Sequence, residues 1–472
     1  MAPRVLSGIL FYPRGGSAHV ARALAHGLRA HGWSVTLVAG SRGDMGPEAD
    51  AQQFYGHVYA VRFDPALATE QPFCFEGPRG TAPPHPSYED RPGAPDRVFA
   101  ALDDLDYEHQ VRAWCRALED AGAPDCDVLH LHHLTPLNEA AGRVASGVPV
   151  VGQLHGTELL MLEQIAAGPP PEWEHAGRWA HRMRRWAQRC ARLIVAPSGV
   201  ARAARVLDVP RERLVELPNG VDTELFGPRE VDRAELWRRV LVEEPRGWLP
   251  DRPAGSARYE DEQVAELGGG TVLLYVGRFT AVKRLDRLIA AFGKAKQRLT
   301  SPAGLVLVGG HPGEWEGEHP AQVARRLEVP DVFLAGWYRH EELPELFAAS
   351  DAVVLASERE QFGQVLVEGM ACGLPAVAPR SLGPALIVED GRTGRLTAPG
   401  EQEALAAAMV ELVEDPAKRA RLGEEARAAA HARFSWEGIS DELGTVLREV
   451  IAMPSGTLAP PRQQRPDVGH GA

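Results

Sequence analysis

At 472 residues the chain exceeds what one hydrophobic core usually organises, about 250–300 residues, so two domains are expected. Its 44% hydrophobic and 24% charged residues are ordinary for a globular protein, and a net charge of −13, from 64 acidic and 51 basic side chains, is not that of a nucleic-acid binder. No apolar run approaches the ~20 residues of a membrane span, residues 5–11 run into a Gly-Gly turn rather than a secretory cleavage segment, and five cysteines without a Cys-x-x-Cys pair argue against a disulfide framework or structural zinc.

Short apolar runs alternate with amphipathic stretches from end to end. In the first half, strands are expected at 5–12, 35–39, 59–63, 128–132, 148–154, 193–196 and 214–217. The first runs into Gly15-Gly16-Ser17, and a helix follows with Val20, Leu24 and Leu28 on one face and Ser17 as its expected N-cap. Glycines there let a ligand approach the positive end of a helix. The Gly-x-Gly-x-x-Gly fingerprint is absent, and the second strand runs into Gly40-Ser41-Arg42 with no acidic residue, which makes a Rossmann-type oxidoreductase the weaker alternative. The Pro- and Gly-rich stretch 72–97 reads as a lid or a disordered loop. Asp103-Asp104-Leu105-Asp106 reads as a helix cap, and His130, His132 and His133 at a strand end lack metal-ligand spacing, so structural or acceptor-facing roles are expected. Arg178, Arg182, Arg185, Arg189 and Arg192 flank an apolar stripe that includes Trp179, Met183 and Trp186. This is a core-packing helix with a solvated face, or alternatively a weak peripheral contact with an anionic membrane.

Residues 228–270 turn charged and rich in Pro and Gly, as a linker or surface excursion does. Strands then resume at 272–276, 305–308, 332–334, 352–356 and 375–377. Two series of continuous apolar strands separated by helices mean an α/β protein of two doubly wound, Rossmann-like domains, 1–227 and 228–435. A helix is expected over 436–452, and the Pro-rich tail 453–472 reads as disordered.

The second series opens on Gly277-Arg278-Phe279, with Lys283 five residues beyond the arginine. A guanidinium clamps phosphate oxygens bidentately and an ammonium is a compact charge, so the pair suits a diphosphate. Only four of the 51 basic residues are lysines, which makes a lysine at this place informative. After the strand at 352–356 comes a loop and then a helix from about Gly363 to Gly373. Glu360 lies over the N-terminus of that helix, and Glu368 about 7–8 Å along it. Two carboxylates so placed can accept hydrogen bonds from hydroxyls at opposite ends of one ligand, with the amides of Phe362, Gly363 and Gln364 between them.

Glu360-x7-Glu368 with Phe362-Gly363 and Gly373-x-Pro375 resembles the signature of the family-4 retaining glycosyltransferases of the GT-B fold. The resemblance extends to Gly277-Arg278 with Lys283, His155-Gly156-Thr157 and Pro218-Asn219-Gly220-Val221-Asp222. It implies two Rossmann-like domains facing across a cleft, with the C-terminal helix crossing back to the first. It further implies that Arg278 and Lys283 hold the nucleotide diphosphate, Glu368 the ribose hydroxyls, and Glu360 with the Phe362 and Gly363 amides the donor sugar. Gly16 and Asn219 would also lie toward the donor, and His155 would face the transferred sugar. The catalytic set so implied is Arg278, Lys283, Glu360 and His155, with no metal or cofactor. Gly15, Arg42, His132 and His133 would lie toward the acceptor. One departure stands out: the family's Gly-Asp/Glu-Gly-Pro loop is replaced by Gly309-Gly310-His311-Pro312-Gly313. The expected protein is a soluble, cytoplasmic hexosyltransferase using UDP-glucose or UDP-N-acetylglucosamine. Its expected acceptor is a small polar molecule such as a cyclitol or a sugar, with acidic residues at Glu89-Asp90 and Asp103-Asp104 favouring a neutral or cationic one. A non-catalytic nucleotide-sugar-binding protein on the same scaffold is the other alternative.

Overall fold

A computed structural model describes residues 2–10, 16–43, 50–67, 83, 85–88 and 96–454. In chain order the strands of the first half are β1 (Arg4–Ile9), β2 (Ser34–Ser41), β3 (Tyr59–Arg62), the two-residue β4 (Pro86–Ser87) and β5 (Arg97–Val98), β6 (Val128–His132), β7 (Val150–Gln153), β8 (Arg192–Val195) and β9 (Leu214–Glu216). Those of the second half are β10 (Thr271–Val276), β11 (Ala303–Val308), β12 (Val332–Gly336), β13 (Ala352–Val354), β14 (Ala376–Pro379) and β15 (Gly394–Thr397). Seven form one parallel sheet in the order β3-β2-β1-β6-β7-β8-β9, and six form another, β12-β11-β10-β13-β14-β15. β11 is buried along its whole length, which is why its sequence is an unbroken apolar run rather than an alternating one; β6 is equally buried, although His130 and His132 interrupt its apolar sequence.

In each sheet the order reverses beside the first strand, at β1/β6 and at β10/β13. Ligands of doubly wound folds bind beyond the carboxyl ends of the strands at such a reversal. The candidate residues of the second half follow β10 and β13 there.

Contacts divide the described chain into two compact units. One runs to Leu217 and resumes at Ile439; the other is Pro218–Gly438. The sequence reading placed the boundary ten residues later, after 227. Phe226 and Val221 account for the difference: both are fully buried in the second core, and the Val221 amide donates to the Phe434 carbonyl at 2.6 Å. The stretch 228–270 is likewise no linker. It holds a helix (Arg233–Arg238), a π-turn (Arg239–Glu243) and a second helix (Asp261–Gly269). Trp237, Leu241, Trp248 and Leu267 lie in the second core, and the Trp237 indole donates to the Ala349 carbonyl. Charge on the outer face of this stretch hides the apolar anchors on its inner one.

Smaller departures have local causes. The first helix begins at Gly16, so Ser17 lies inside it rather than capping it. β15, Gly-Arg-Leu-Thr, carries too little apolar sequence to be seen in advance. The helix Trp436–Ile451 buries Ile439, Leu443, Leu447 and Val450, and the Arg448 guanidinium lies over the Trp33 ring at 5.5 Å within the first unit. Most of 72–97, and the tail beyond 454, lie outside the described residues. Among those described, no helix is long and apolar enough to cross a membrane.

In the helix Ala176–Arg189, Trp179, Met183 and Trp186 are buried. Two carboxylates are shared among four of its arginines: Arg178 and Arg182 pair with Asp104, and Arg185 and Arg189 with Glu139.

Candidate functional site

Two loops and one helix meet beyond β10 and β13. The loop after β10 holds Arg278 and makes a tight turn over Ala281–Lys283. It is pinned from several sides. The buried Tyr275 hydroxyl donates to the Arg278 carbonyl at 2.9 Å, and the Ser357 hydroxyl donates to the Val282 carbonyl at 3.2 Å. Burial raises the Tyr275 phenol well above its ordinary pKa, and the nearby Glu360 carboxylate adds to the effect while Arg278 opposes it. That hydroxyl therefore stays a donor.

The loop 309–316, where the chain departs from the family pattern, has a definite task. Gly309 sits at φ 116°, where a Cβ would come within 2.2 Å of the Gly277 carbonyl oxygen, so only glycine permits this approach. Further along, the Glu316 amide donates to the Phe279 carbonyl, and its carboxylate accepts the Ala281 N–H, both at 2.9 Å. Phe279 stacks on Trp248 and meets His319 edge-on. The loop thus clamps the turn that presents Lys283.

After β13 the chain crosses residues 357–363 and enters the helix Gln364–Ala371. Gly363 precedes it at φ 97°, a left-handed conformation that lets the chain turn sharply and leaves the first-turn amides facing out of the helix end. Lys283 Nζ donates to Glu360 Oε2 at 2.5 Å, with both side chains about four-fifths buried (21% and 15% exposed). The residues expected to hold the diphosphate and the sugar are therefore in direct contact. Glu368 is 4% exposed, and His340 Nε2 lies 2.9 Å from its Oε1. Gln364 is turned elsewhere, its amide donating to the Gly220 carbonyl at 2.8 Å and so tying the 218–226 segment to this helix. Phe362 is buried against Phe434, and Asn219 is half-buried.

A second cluster lies within the first unit, beyond β6 and β7. His132 Nδ1 and His155 Nε2 are 3.0 Å apart, His130 Nε2 meets Gln153 Oε1 at 2.9 Å, and His133 Nδ1 donates to Glu158 Oε1 at 2.6 Å. Glu158, in the first turn of the helix Thr157–Ala167, also accepts the His155 amide at 3.2 Å. Burial holds His132 and His155 well below the ordinary imidazole pKa and lowers His130 to about 4, so these rings are neutral near pH 7. His132 and His133 are buried rather than displayed. Arg42 is buried too and pairs with Asp96, so its charge is already neutralised. Gly16 is exposed at the start of its helix, and Gly15 lies outside the described residues. Asp103 caps the helix Asp104–Asp120 through the Asp106 amide and Asp104 is matched by two arginines, so neither marks a site for a cationic acceptor.

Of the donor-side residues expected from the sequence, Lys283 and Glu360 are in direct contact, Arg278 shares the loop after β10 with Lys283, and Glu368 lies on the helix that follows Glu360. Sequence reading missed His340, Glu158 and Glu316. No local motif marks these three, because His340 and Glu316 act through contacts made across the fold and Glu158 joins its local contact with the His155 amide to a distant one with His133.

Residues 14–225 match the family model described as Glycosyltransferase Family 4, and residues 258–429 that of Glycosyl transferases group 1. The chain is 31% identical over 343 residues to a D-inositol 3-phosphate glycosyltransferase of Nocardiopsis dassonvillei, covering 71% of this chain and 72% of that one. It is 25% identical over 339 residues to the N-acetyl-alpha-D-glucosaminyl L-malate synthase of Bacillus anthracis, covering 71% and 77%. Among solved structures, sucrose-phosphate synthase of Thermosynechococcus elongatus superimposes with a TM-score of 0.67 at 20% identity, over 95% of this chain and 99% of that one. HepE of Anabaena, solved with UDP, superimposes at 0.65 and 20% identity, over 95% and 100%.

Proposed function

The chain belongs to glycosyltransferase family 4, and we propose that it moves a hexosyl group from UDP-glucose or UDP-N-acetylglucosamine to a hydroxyl of a small polar acceptor, with retention of anomeric configuration. That it is a glycosyltransferase follows from family membership. One observation carries the choice of donor site: Lys283 from the loop after β10 and Glu360 from the loop after β13 are in direct contact beyond the strands where the sheet order reverses.

Negative charge grows on the diphosphate as the glycosidic bond breaks. Arg278, Lys283 and the outward amides at Phe362, Gly363 and Gln364 are donors fixed in advance of that charge, and preorganised electrostatics is usually the largest catalytic contribution. Glu360 accepts from hydroxyls of the transferred sugar while its other contact holds Lys283 in place. Glu368 accepts from the ribose. The departing diphosphate oxygen takes the acceptor proton as the new bond forms on the same face of the sugar. A neutral His155 can exchange hydrogen bonds with sugar hydroxyls without introducing a competing positive charge. His132 and His133 are assigned to the acceptor side of this scheme, and Gly16 to the donor side; Arg42, also assigned to the acceptor side, is paired with Asp96.

The names of the relatives support a small polyhydroxyl or hydroxy-acid acceptor, inositol phosphate in one case and malate in another. The test is to incubate the protein with each UDP-sugar and a panel containing myo-inositol, inositol 3-phosphate, malate and an aminocyclitol. Released UDP and the anomeric coupling constant of the product are then measured. An α-linked product from the α-linked donor is expected. A β-linked product contradicts the retaining assignment, and failure with both UDP-sugars alongside turnover of a GDP- or ADP-sugar contradicts the donor.

A further inference from the structure

Glu368 reaches the candidate site with one oxygen already engaged. His340 Nε2 lies 2.9 Å from its Oε1, and a carboxylate only accepts, so the imidazole N–H is the donor. His340 comes from a short turn after β12, 28 residues before Glu368, and no spacing motif links the two. Its ring is held by packing: it lies 4.9 Å from the Phe226 ring, which is fully buried and packs in turn on Phe347. Glu368 lies on the second turn of the helix Gln364–Ala371 and is 4% exposed, whereas the His340 side chain is 25% exposed.

We infer that His340 is a positioning residue for nucleotide binding: by occupying Oε1, it fixes the rotamer of Glu368 so that Oε2 is left to accept from the ribose diol. A glutamate has three rotatable side-chain bonds, and a carboxylate that must be ordered on binding loses part of its hydrogen-bond energy to that ordering. An imidazole wedged against Phe226 meets that cost before the nucleotide arrives. Phe226 and Gly220 belong to the segment 218–226, which Gln364 ties to the same helix, so the segment that closes onto the second core also sets the ribose carboxylate. The inference rests on the assignment of Glu368 to the ribose.

A ligand-side cycle separates the two claims. Dissociation constants are measured by calorimetry on the full chain for whichever of UDP, GDP and ADP binds the wild type most tightly, and for its 2′,3′-dideoxy counterpart. His340→Ala is expected to weaken the ribonucleotide about 10-fold and to leave the dideoxy nucleotide within about two-fold, as loss of one hydrogen bond to a charged group would. His340→Gln, whose amide can still donate, is expected to recover most of the affinity. Glu368→Ala is expected to show the same selectivity for the ribonucleotide, and adding His340→Ala to it to cost nothing more. Equal weakening of both nucleotides by His340→Ala, or no weakening while Glu368→Ala remains selective, overturns the role of His340 and leaves the ribose assignment standing. A Glu368→Ala loss that ignores the ribose hydroxyls overturns that assignment itself.

Discussion

Lys283 and Glu360 are the pair on which the chemistry turns, and their contact changes what substitution should do. Removing one fixed donor facing a developing oxyanion typically costs 10²–10³ in turnover. Lys283→Ala and Arg278→Ala are therefore each expected to lower kcat by roughly that factor at saturating donor, and wild-type rates in either would contradict their assignment. Glu360→Gln is expected to harm transfer more than nucleotide binding, with Glu368→Gln showing the reverse ranking by calorimetry. Because Lys283 Nζ and Glu360 Oε2 are 2.5 Å apart, the Lys283→Ala/Glu360→Gln double variant should lose clearly less than the product of the single losses. Simple additivity would mean the two groups act independently. What made Lys283 and both glutamates legible in the sequence was local: a cation after a buried strand, and a carboxylate spacing set against a loop–helix junction. His340 and Glu316 carry no such mark, since their partners lie 28 and 35 residues away, and the His133 partner of Glu158 lies 25 residues away.

Among the elements, the strands were read most fully, because burial on both faces writes continuous apolar runs such as Leu305–Val308 into the sequence. Elements that bury one face and charge the other were misread. The stretch 228–270 is the main instance, and it supplies a test. Trp237 is fully buried there, so Trp237→Ala should destabilise the second unit by about 3–5 kcal/mol in denaturant unfolding. A change below about 0.5 kcal/mol, as at a solvated position, would restore the linker reading. The loop 309–316 offers a test that bears on function. Glu316 is exposed, and its carboxylate accepts the Ala281 amide at the head of the turn that carries Lys283. Glu316→Ala should raise the donor KM roughly three- to ten-fold without lowering the unfolding midpoint, while Glu316→Gln, which can still accept, should stay near wild type. Equal effects of the two variants would remove the clamp from the explanation.

Across the whole molecule, each unit has its own core, and both carry buried neutral histidines. His130 and His319 are lowered to about 4 by burial, and His132 and His155 fall well below the ordinary value. Histidines in the unfolded chain titrate near pH 6.5, so between about 6.5 and 4 the unfolded state binds more protons than the folded one, and stability rises with pH. This contribution is fully present above about pH 6.5 and is lost as the pH falls through the window. The thermal midpoint should therefore drop steadily from pH 7 to pH 5, and a flat profile would mean these rings are already charged in the folded protein. The family and the two parallel sheets could both be read from the sequence. The place where Pro218–Val221 joins the second core could not, because it depends on Phe226 finding a pocket that the sequence does not describe. The most direct measurement is a crystal structure of the protein with UDP bound. Its diphosphate should lie within hydrogen-bonding distance of Arg278 and Lys283, beyond the carboxyl ends of β10 and β13, with its ribose on Glu368. A nucleotide lodged away from those strand ends, with Lys283 still on Glu360 and far from any phosphate, would contradict the assignment of the donor site.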